Sequence, residues 1–319
     1  MKTKIGRILV IPAMSLLAVF FLIFCWLNRK PQFLDLSGPY LGQKPPGIKA
    51  ELFAPGIIPN DLHSVTVFSP DGTQVYWKEM DPSKTHLFFS ELVNDRWTVP
   101  SSASFGSILF DSDDPCFSID GQKLFFTSWR PVKWYSPLPH KERIWYVEKQ
   151  RHGWSKPKPV ADAVNAMDIH WQMSVTQDET LYFASDGDIY RSTFSHGQYA
   201  APEKLGAAIN ADSNQGTPFI APDESYLLFS SDRRDGSYGM YDLYVSFRQA
   251  NGAWSQASNL GADVNSSGQE LYPYVSPDGR FLFFLSNRGT SRVYWLDAQI
   301  VEQFEPKRDE RCHRKRGDI

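Results

Sequence analysis

The chain has 319 residues, of which 14% are Phe, Trp or Tyr, and its formal net charge is −3. Aromatic residues favour the half-buried surfaces of β-sheets, and Gly and Pro are spread along the chain as strand-connecting turns require. The small negative charge gives no reason to expect a nucleic-acid partner. Cys25, Cys116 and Cys312 form no C-x-x-C motif, and no P-loop, H-E-x-x-H or G-x-G-x-x-G motif occurs. We therefore expect no disulfide framework, no metal site and no cofactor.

A hydrophobic run begins the chain. Three basic residues among the first seven precede an uncharged stretch from residue 8 to residue 27, long enough to cross a bilayer as a helix. Because no A-x-A cleavage pattern follows, residues 1–30 are predicted to form an uncleaved signal anchor, with cleavage or lipidation at Cys25 as alternatives. More basic residues precede the run than follow it, which favours a cytoplasmic N-terminus. We expect a single-pass protein of the inner (cytoplasmic) membrane whose globular part faces the periplasm or cell exterior.

Two further segments differ in composition from the central part. Residues 31–47 contain Pro31, Pro45 and Pro46 and are predicted to be an extended linker. Residues 304–319 contain a run of basic residues, which indicates a solvated, charged tail. The domain prediction is therefore an anchor at 1–30, a linker at 31–47, a globular domain at 48–303 and a tail at 304–319.

A turn motif recurs five times in the central part, with its aspartates spaced by 45 to 58 residues. The turn aspartates are Asp71, Asp120, Asp178, Asp223 and Asp278. Pro, Asp and Gly reverse the chain in tight turns, and a Gly follows the aspartate in three copies. Glu179 and Glu224 replace this Gly in the other two copies. We expect these two turns to have a different geometry, because only glycine adopts a left-handed conformation without strain.

Strand-forming runs surround each turn. An apolar strand precedes it, an aromatic-rich strand follows, and a third strand and a short fourth segment complete each copy. The fourth segments end in Val-Asn or Ile-Asn at Asn165, Asn210 and Asn265. A single four-stranded sheet cannot bury both of its faces, whereas copies stacked around an axis bury them, as in a β-propeller.

The last copy lacks its fourth strand. Residues 50–58 before the first copy resemble the missing strand, and we expect them to complete the final blade and close the ring. The sequence thus predicts an all-β propeller of about five four-stranded blades. A sixth blade is the alternative, although residues 31–60 are too few to supply it.

The turns, the aromatic strands and S-x-R segments together resemble the TolB-like, WD-like propeller repeat family. The S-x-R segments begin at Ser128, Ser231 and Ser286, and we expect each arginine to pair with a carboxylate on a neighbouring blade. The resemblance extends over about residues 50–300. It implies a propeller used as a binding platform and nothing narrower, because propellers serve many functions.

A candidate ligand site comes from the repeat itself. Positions eight residues before the turn aspartates should lie where each innermost strand begins, at one mouth of the channel. These positions are His63, Ser112, His170, Gln215 and Glu270, and Asp113 and Asp114 adjoin Ser112. The predicted ligand-binding residues at this mouth are His63, Asp113, Asp114, His170, Gln215 and Glu270. Polar groups that converge from several blades can form a binding site, although the same residues could also only hydrate the channel.

Two functions are compatible with this sequence. The first is a membrane-tethered, extracytoplasmic, noncatalytic binding or scaffolding domain for a protein, peptide or glycan. The second is a carbohydrate-active enzyme that uses Glu270 with Asp113 or Asp114 as a carboxylate pair. The loops at residues 131–143 and 233–240 are further candidate contact regions.

Overall fold

The computed structural model describes residues 31–81, 84–106, 110–132, 141–211, 213–232, 234 and 236–306. In this part of the chain, five antiparallel sheets form the blades of a β-propeller. The predicted all-β, five-bladed architecture is confirmed. The predicted anchor helix and residues 307–319 of the predicted tail lie outside the described residues. Within the described ranges, no helix has the length and apolar character needed to cross a membrane.

The strands follow one another blade by blade. Before the first blade lie β1 (Phe33–Ser37) and β2 (Glu51–Leu52). Blade 1 contains β3 (Val67–Phe68), β4 (Gln74–Asp81), β5 (Lys84–Val93), β6 (Arg96–Thr98) and β7 (Ser101–Ser102). Blade 2 contains β8 (Asp113–Phe117), β9 (Lys123–Ser128), β10 (Arg143–Glu148) and β11 (Lys158–Pro159).

The remaining blades repeat this order. Blade 3 contains β12 (His170–Val175), β13 (Leu181–Ser185), β14 (Asp188–Ser192), a small hairpin of β15 (Phe194–Ser195) and β16 (Gln198–Tyr199), and β17 (Glu203–Lys204). Blade 4 contains β18 (Gln215–Ile220), β19 (Tyr226–Ser231), β20 (Asp242–Phe247) and β21 (Ser258–Asn259). Blade 5 contains β22 (Glu270–Val275), β23 (Phe281–Ser286) and β24 (Arg292–Asp297). The helical elements are a 3₁₀ turn (Tyr40–Gly42), α1 (Asp162–Asn165) and α2 (Gln299–Glu302).

The ring is closed by the N-terminal strand, as predicted. β2 pairs antiparallel with β24, so that Glu51 lies opposite Trp295, and blade 5 thereby gains its fourth strand. Phe53, directly after β2, is buried with its ring 5.0 Å from those of Phe283 and Trp295 and 6.1 Å from that of Phe68. Because these aromatic rings join blade 1 to blade 5, the closure buries apolar surface as well as pairing backbone groups.

The segment expected to be an extended linker instead packs on the propeller. β1 pairs with β6 at the outer edge of blade 1. Leu41 is fully buried, and the ring of Tyr40 lies 5.0 Å from those of Phe68 and Phe281. The prolines that indicated a linker flank a short apolar stretch, and burying this stretch favours docking over a free chain.

The five repeat turns share one geometry, which corrects the expectation that two of them would differ. Gly72, Gly121 and Gly279 have φ between +67° and +74°, and Glu179 and Glu224 have φ of +64° and +58°. The two glutamates therefore adopt the same left-handed conformation as the glycines. A residue with a Cβ is strained there by about 1 kcal/mol.

Contacts between and within blades compensate the strain at the two glutamates. The Lys123 ammonium of blade 2 donates to Glu179 of blade 3, with an Nζ–Oε1 distance of 2.7 Å. The Tyr182 hydroxyl of blade 3 donates to Glu224 of blade 4 at 2.6 Å, and Arg248 of blade 4 lies 3.4 Å from the same carboxylate. A glycine could make none of these side-chain contacts.

The recurring asparagines at the ends of the fourth segments each bind the third strand of their own blade. In every copy the side-chain oxygen accepts a backbone N–H and the side-chain nitrogen donates to the carbonyl of the same residue. The pairs are Asn165 with Ile144, Asn210 with Ile189 and Asn265 with Leu243. These bonds satisfy backbone groups at the beginning of the third strands of blades 2, 3 and 4 and fix the chain where it passes to the next blade.

Candidate functional site

The central channel opens on two faces that differ in chemistry. The turn face carries the repeat turns and the carboxyl ends of the innermost strands β3, β8, β12, β18 and β22. The opposite face, termed the acidic face, carries the amino ends of these strands and the connections between second and third strands. Each face holds one candidate site.

The turn face holds a cavity of about 260 Å³, termed the turn-face cavity, lined by residues of all five blades. None of the lining residues is charged, and most are apolar. They are Val67, Phe68, Pro70, Pro115, Cys116, Phe117, Ser118, Ile119, Gln172, Met173, Ser174, Val175, Phe219, Ile220, Pro222, Tyr226, Tyr274, Val275, Ser276, Pro277 and Gly279. The cavity exists because the five repeat turns surround the channel axis and place a ring of apolar residues around it.

Gln172 lines this cavity and spans the channel. Its Nε2 donates to the carbonyl oxygen of Pro273 at 2.9 Å. Gln172 belongs to blade 3 and Pro273 to blade 5, which are not neighbours in the ring, so this bond crosses the axis. The buried Oε1 atom has no hydrogen-bond partner in the protein. We infer that Gln172 forms the floor of the turn-face cavity and that its Oε1 atom remains free to accept a hydrogen bond.

The acidic face holds a cluster of Lys78, Asp113, Asp114 and Glu142, termed the acidic cluster. Lys78 of β4 forms an ion pair with Asp113 of β8, and both side chains are largely buried. Asp114 follows at a bulge in β8 with φ +47°, and its backbone N–H donates to Asp113 at 2.8 Å. Its Oδ2 accepts a hydrogen bond from Thr127 at 3.2 Å. The bulge places two successive carboxylates on the same small region between blades 1 and 2.

Burial and mutual repulsion alter the acidities in the acidic cluster. Burial, followed by the charges of Asp113 and Glu142, raises the pKa of Asp114 well above its usual value. Burial and the charge of Asp113 raise the pKa of Glu142 to about 7. Burial alone would lower the pKa of Lys78, but the neighbouring carboxylates raise it. The cluster thus favours the charged form of its lysine and the protonated forms of Asp114 and Glu142.

Glu270, predicted to face the channel mouth, is instead fully buried inside blade 5. Its carboxylate accepts hydrogen bonds from the Ser266 backbone N–H at 2.9 Å, the Ser266 hydroxyl at 2.6 Å and the Ser286 hydroxyl at 2.6 Å. Arg288 lies 3.4 Å away. These contacts use the carboxylate to connect the loop before β22 to the end of β23. The arginine pairs within its own blade, which corrects the expected pairing with a neighbouring blade.

The equivalent positions of blades 2 and 4 follow the same plan. Ser112 accepts a hydrogen bond from Arg130 at 3.1 Å, and the buried Gln215 donates to Ser213 at 2.6 Å and to Ser231 at 3.3 Å. Residues eight positions before the turn aspartates therefore meet the serine or the arginine of the S-x-R segments. In blade 4 Arg234, one residue later than the motif predicts, donates to Ser231 at 3.0 Å.

Of the two predicted histidines, the structure describes the side chain of His63 alone. His63 is exposed in the loop before blade 1. His170 begins β12, and its side chain lies outside the described residues, as do parts of the loops at 131–143 and 233–240. Of the six predicted site residues, the structure thus brings together Asp113 and Asp114.

Among the residues that the structure describes, no three His, Cys, Asp or Glu side chains are arranged to hold a metal ion. Burial raises the pKa of the Cys116 thiol to about 12, so it is protonated at neutral pH and acts as a packing residue of the turn-face cavity.

The architecture is similar to solved propellers. TolB from Acinetobacter baumannii matches with a TM-score of 0.50 and 15% identity, over 75% of this chain and 52% of that chain. A putative TolB from Agrobacterium tumefaciens matches with a TM-score of 0.49 and 18% identity, over 75% of this chain and 78% of that one. A periplasmic gluconolactonase from Pseudomonas aeruginosa matches with a TM-score of 0.41 and 15% identity, over 74% and 66% of the two chains.

The chain has a TolB-like propeller fold. The match spans about half the length of the Acinetobacter baumannii TolB chain. No protein-family model matches the sequence, and no curated protein matches it. Identities this low show the fold and not the activity.

Sequence reasoning missed three features of this TolB-like propeller: Lys78, Glu142 and the turn-face cavity. The sequence nevertheless contained a signal for the residues that face the channel. Positions six residues before the turn aspartates, rather than eight, are Val65, Asp114, Gln172, Thr217 and Tyr272. Asp114, Thr217 and Tyr272 have positive φ at bulges, and these bulges shift the channel-facing residue along each innermost strand.

Proposed function

We propose that this protein is a noncatalytic binding propeller that receives one or two apolar side chains of a peptide or protein partner in its turn-face cavity. The observation that carries the proposal is the cavity itself: about 260 Å³, uncharged, and formed by all five blades. An apolar cavity of roughly 150 Å³ holds a benzene ring, so this cavity has room for a large aromatic or two aliphatic side chains.

The energetics suit peptide recognition. Burying one large apolar side chain contributes about 1.5–3 kcal/mol, so one or two anchors support binding only together with contacts around them. The cavity is surrounded by the repeat turns, with Ile119 39% exposed on one of them. A partner segment lying across these turns would contact the rim while its side chain enters the cavity. A catalytic reading receives less support, because Glu270 is already used inside blade 5.

Partner capture with matched variants tests this proposal. Ile119→Glu places a charge at the cavity rim, and Val99→Glu places the same charge at a similarly exposed apolar residue elsewhere, 41% exposed at the edge of blade 1. Partners bound from solubilised membranes or from a displayed peptide library should be lost by Ile119→Glu and retained by Val99→Glu. Equal capture by both variants would contradict the assignment of the cavity.

The enzyme alternative has its own test. Purified protein is incubated with oligosaccharides, and Glu270→Gln is compared with the wild type. We expect no turnover by either protein. Turnover by the wild type that disappears in Glu270→Gln would support a carbohydrate-active enzyme and refute the noncatalytic assignment.

We also propose, from residues 1–30, that the propeller is tethered to the inner membrane and faces the periplasm or cell exterior. The support is the uncharged run with its basic flank. The full chain should stay with membranes after alkaline carbonate and leave them only in detergent. Release by carbonate alone would exclude a spanning helix.

A further inference from the structure

A second candidate site, separate from the turn-face cavity, lies on the acidic face. It consists of the acidic cluster and the adjacent Trp129. The indole N–H of Trp129 donates to Glu142 at 3.2 Å, and Trp129 is 40% exposed. An aromatic ring therefore stands at the surface beside a carboxylate. Nothing in the proposed binding function at the turn face accounts for this arrangement.

One carboxylate oxygen in the cluster lacks a partner. Asp114 is only 4% exposed, and while its Oδ2 accepts from Thr127, its Oδ1 has no hydrogen-bond partner in the protein. Buried polar atoms are almost always paired, because an unpaired one lowers the stability of the fold, and more so when it is charged. Asp114 also holds a strained φ of +47° at the bulge. A buried, strained and incompletely bonded carboxyl group is typical of a functional position.

The charges are unbalanced as well. Asp113, Asp114 and Glu142 face one ammonium group, that of Lys78, among the residues that the structure describes, and this ammonium is paired with Asp113. The cluster would carry excess negative charge if every carboxyl group ionised. A second cation would remove this excess.

We propose that the acidic cluster binds an organic monocation, a primary ammonium or guanidinium group, which pairs with Glu142 and Asp114 beside the ring of Trp129. A metal ion fits less well, because the described residues offer no set of three metal ligands. Ammonium and guanidinium groups donate directional hydrogen bonds to carboxylates and also bind aromatic faces. Such a group is present on lysine and arginine side chains and on free amines.

Binding should be coupled to proton release. The groups that face Glu142 and Asp114 are Lys78 of blade 1, Asp113, Thr127 and Trp129 of blade 2, Asp168 before blade 3 and Tyr272 of blade 5. The cation favours the ionised carboxylates, so a bound ammonium takes the place of a proton that leaves Glu142 for the solvent. Affinity should therefore rise as the pH increases from 6 to 8.

Calorimetric titration of the full chain tests the proposal with two probes, n-butylammonium and a terminally blocked Ala-Lys-Ala peptide. We expect dissociation constants of about 1 mM at pH 8, about tenfold weaker binding at pH 6, and a heat that depends on the ionisation enthalpy of the buffer. Equal affinities for the two probes would identify a free amine as the ligand class, and tighter binding of the peptide would identify a protein segment.

Matched variants connect the binding to the cluster. Glu142→Gln should weaken binding about tenfold and remove its pH dependence. Glu148→Gln, which changes a solvent-exposed glutamate of the same blade paired with Lys158, should leave both unchanged. Circular dichroism of both variants confirms folding. Absence of binding at 20 mM probe, insensitivity to Glu142→Gln, or preferential Ca²⁺ binding with the same sensitivity would overturn the proposal.

Discussion

The two faces of the propeller use the same repeat differently. On the turn face, the carboxylate of each repeat aspartate accepts hydrogen bonds from nearby groups, such as those that Asp120 accepts from Ser118 at 2.7 Å and the Gln122 N–H at 3.0 Å. On the acidic face, the carboxyl group of Asp114 is buried with one oxygen unpaired, and burial and neighbouring charges raise the pKa values of Asp114 and Glu142. Carboxyl groups therefore stabilise the turn face, whereas on the acidic face they lower the stability of the fold. This is the usual difference between a structural and a functional position.

The faces should also respond to pH in opposite directions. Hydrogen bonds of the turns hold the pKa of Asp120 below its usual value, so the stability that Asp120 contributes is present at neutral pH and is lost in acid. Burial raises the pKa of Glu142, so its carboxyl group destabilises the fold as the pH rises toward 7. The predictions below begin with the largest effect.

Lys78→Met should give the largest change, because it leaves Asp113 buried beside two other carboxyl groups with no counter-charge. We expect a loss of about 3–5 kcal/mol in the free energy of unfolding at pH 8, measured by urea denaturation, and a smaller loss at pH 5. Lys158→Met, which removes a lysine from a solvent-exposed pair with Glu148, should have little effect. Similar losses in both variants would show that Lys78 stabilises the fold no more than a lysine in a solvent-exposed ion pair does.

Glu142→Gln should stabilise the protein at high pH. The folded state keeps a proton on Glu142 up to about pH 7, whereas the unfolded chain loses it near pH 4.3. The wild type therefore loses stability as the pH rises between these values, and the glutamine variant does not. We expect the variant to be more stable by roughly 1–3 kcal/mol at pH 8, since one pKa unit corresponds to about 1.4 kcal/mol.

The measurement is thermal or urea unfolding of both proteins from pH 4 to pH 8. The difference between them should be smallest at pH 4, where the folded state is protonated and the unfolded state is largely so. Glu148→Gln is the control. A constant difference across this range would contradict the raised pKa of Glu142.

Gly279→Ala tests the turn face. Gly279 has φ +74° and open space around the position of an added Cβ, so the substitution introduces backbone strain alone. We expect a loss of about 1 kcal/mol, measured as the free energy of unfolding. Glu224→Gly should change stability less, because relief of strain is offset by loss of the contacts with Tyr182 and Arg248.

Asp120→Asn should give the smallest effect. It removes a charge that strengthens the turn hydrogen bonds, and because the side chain is solvent-exposed we expect a loss below about 1 kcal/mol at pH 7. The difference should become smaller as the pH falls and Asp120 takes up a proton. A loss that does not shrink in acid would indicate a steric cause.

Much of the fold could be predicted from particular residues. The repeat aspartates, the strands around them and the segment at Glu51–Leu52 predicted five blades and the closure of the ring. The site was predicted less well. Asp113 and Asp114 lie in a candidate site as expected, but Glu270 and Gln215 pack inside their blades. Counting positions along a strand assumes regular alternation, and the bulges at Asp114, Thr217 and Tyr272 break that alternation.

The glutamates of the turns illustrate the same limit. The sequence predicted that Glu179 and Glu224 would not adopt a left-handed conformation, because residues with a Cβ disfavour it. Lys123 and Tyr182, distant in sequence, compensate the strain in the folded propeller. A contact across blades is not visible in a local pattern.

By itself, the sequence determined the repeat, the number of blades and the strand that closes the ring, because these depend on hydrophobic periodicity and turn residues within about fifty positions. Only the tertiary structure decided which polar groups meet. The acidic cluster joins Lys78 of blade 1 to Asp114 and Glu142 of blade 2, and the turn-face cavity joins all five blades. Both arise from the radial arrangement of blades around one axis, which brings residues from separate repeats into contact.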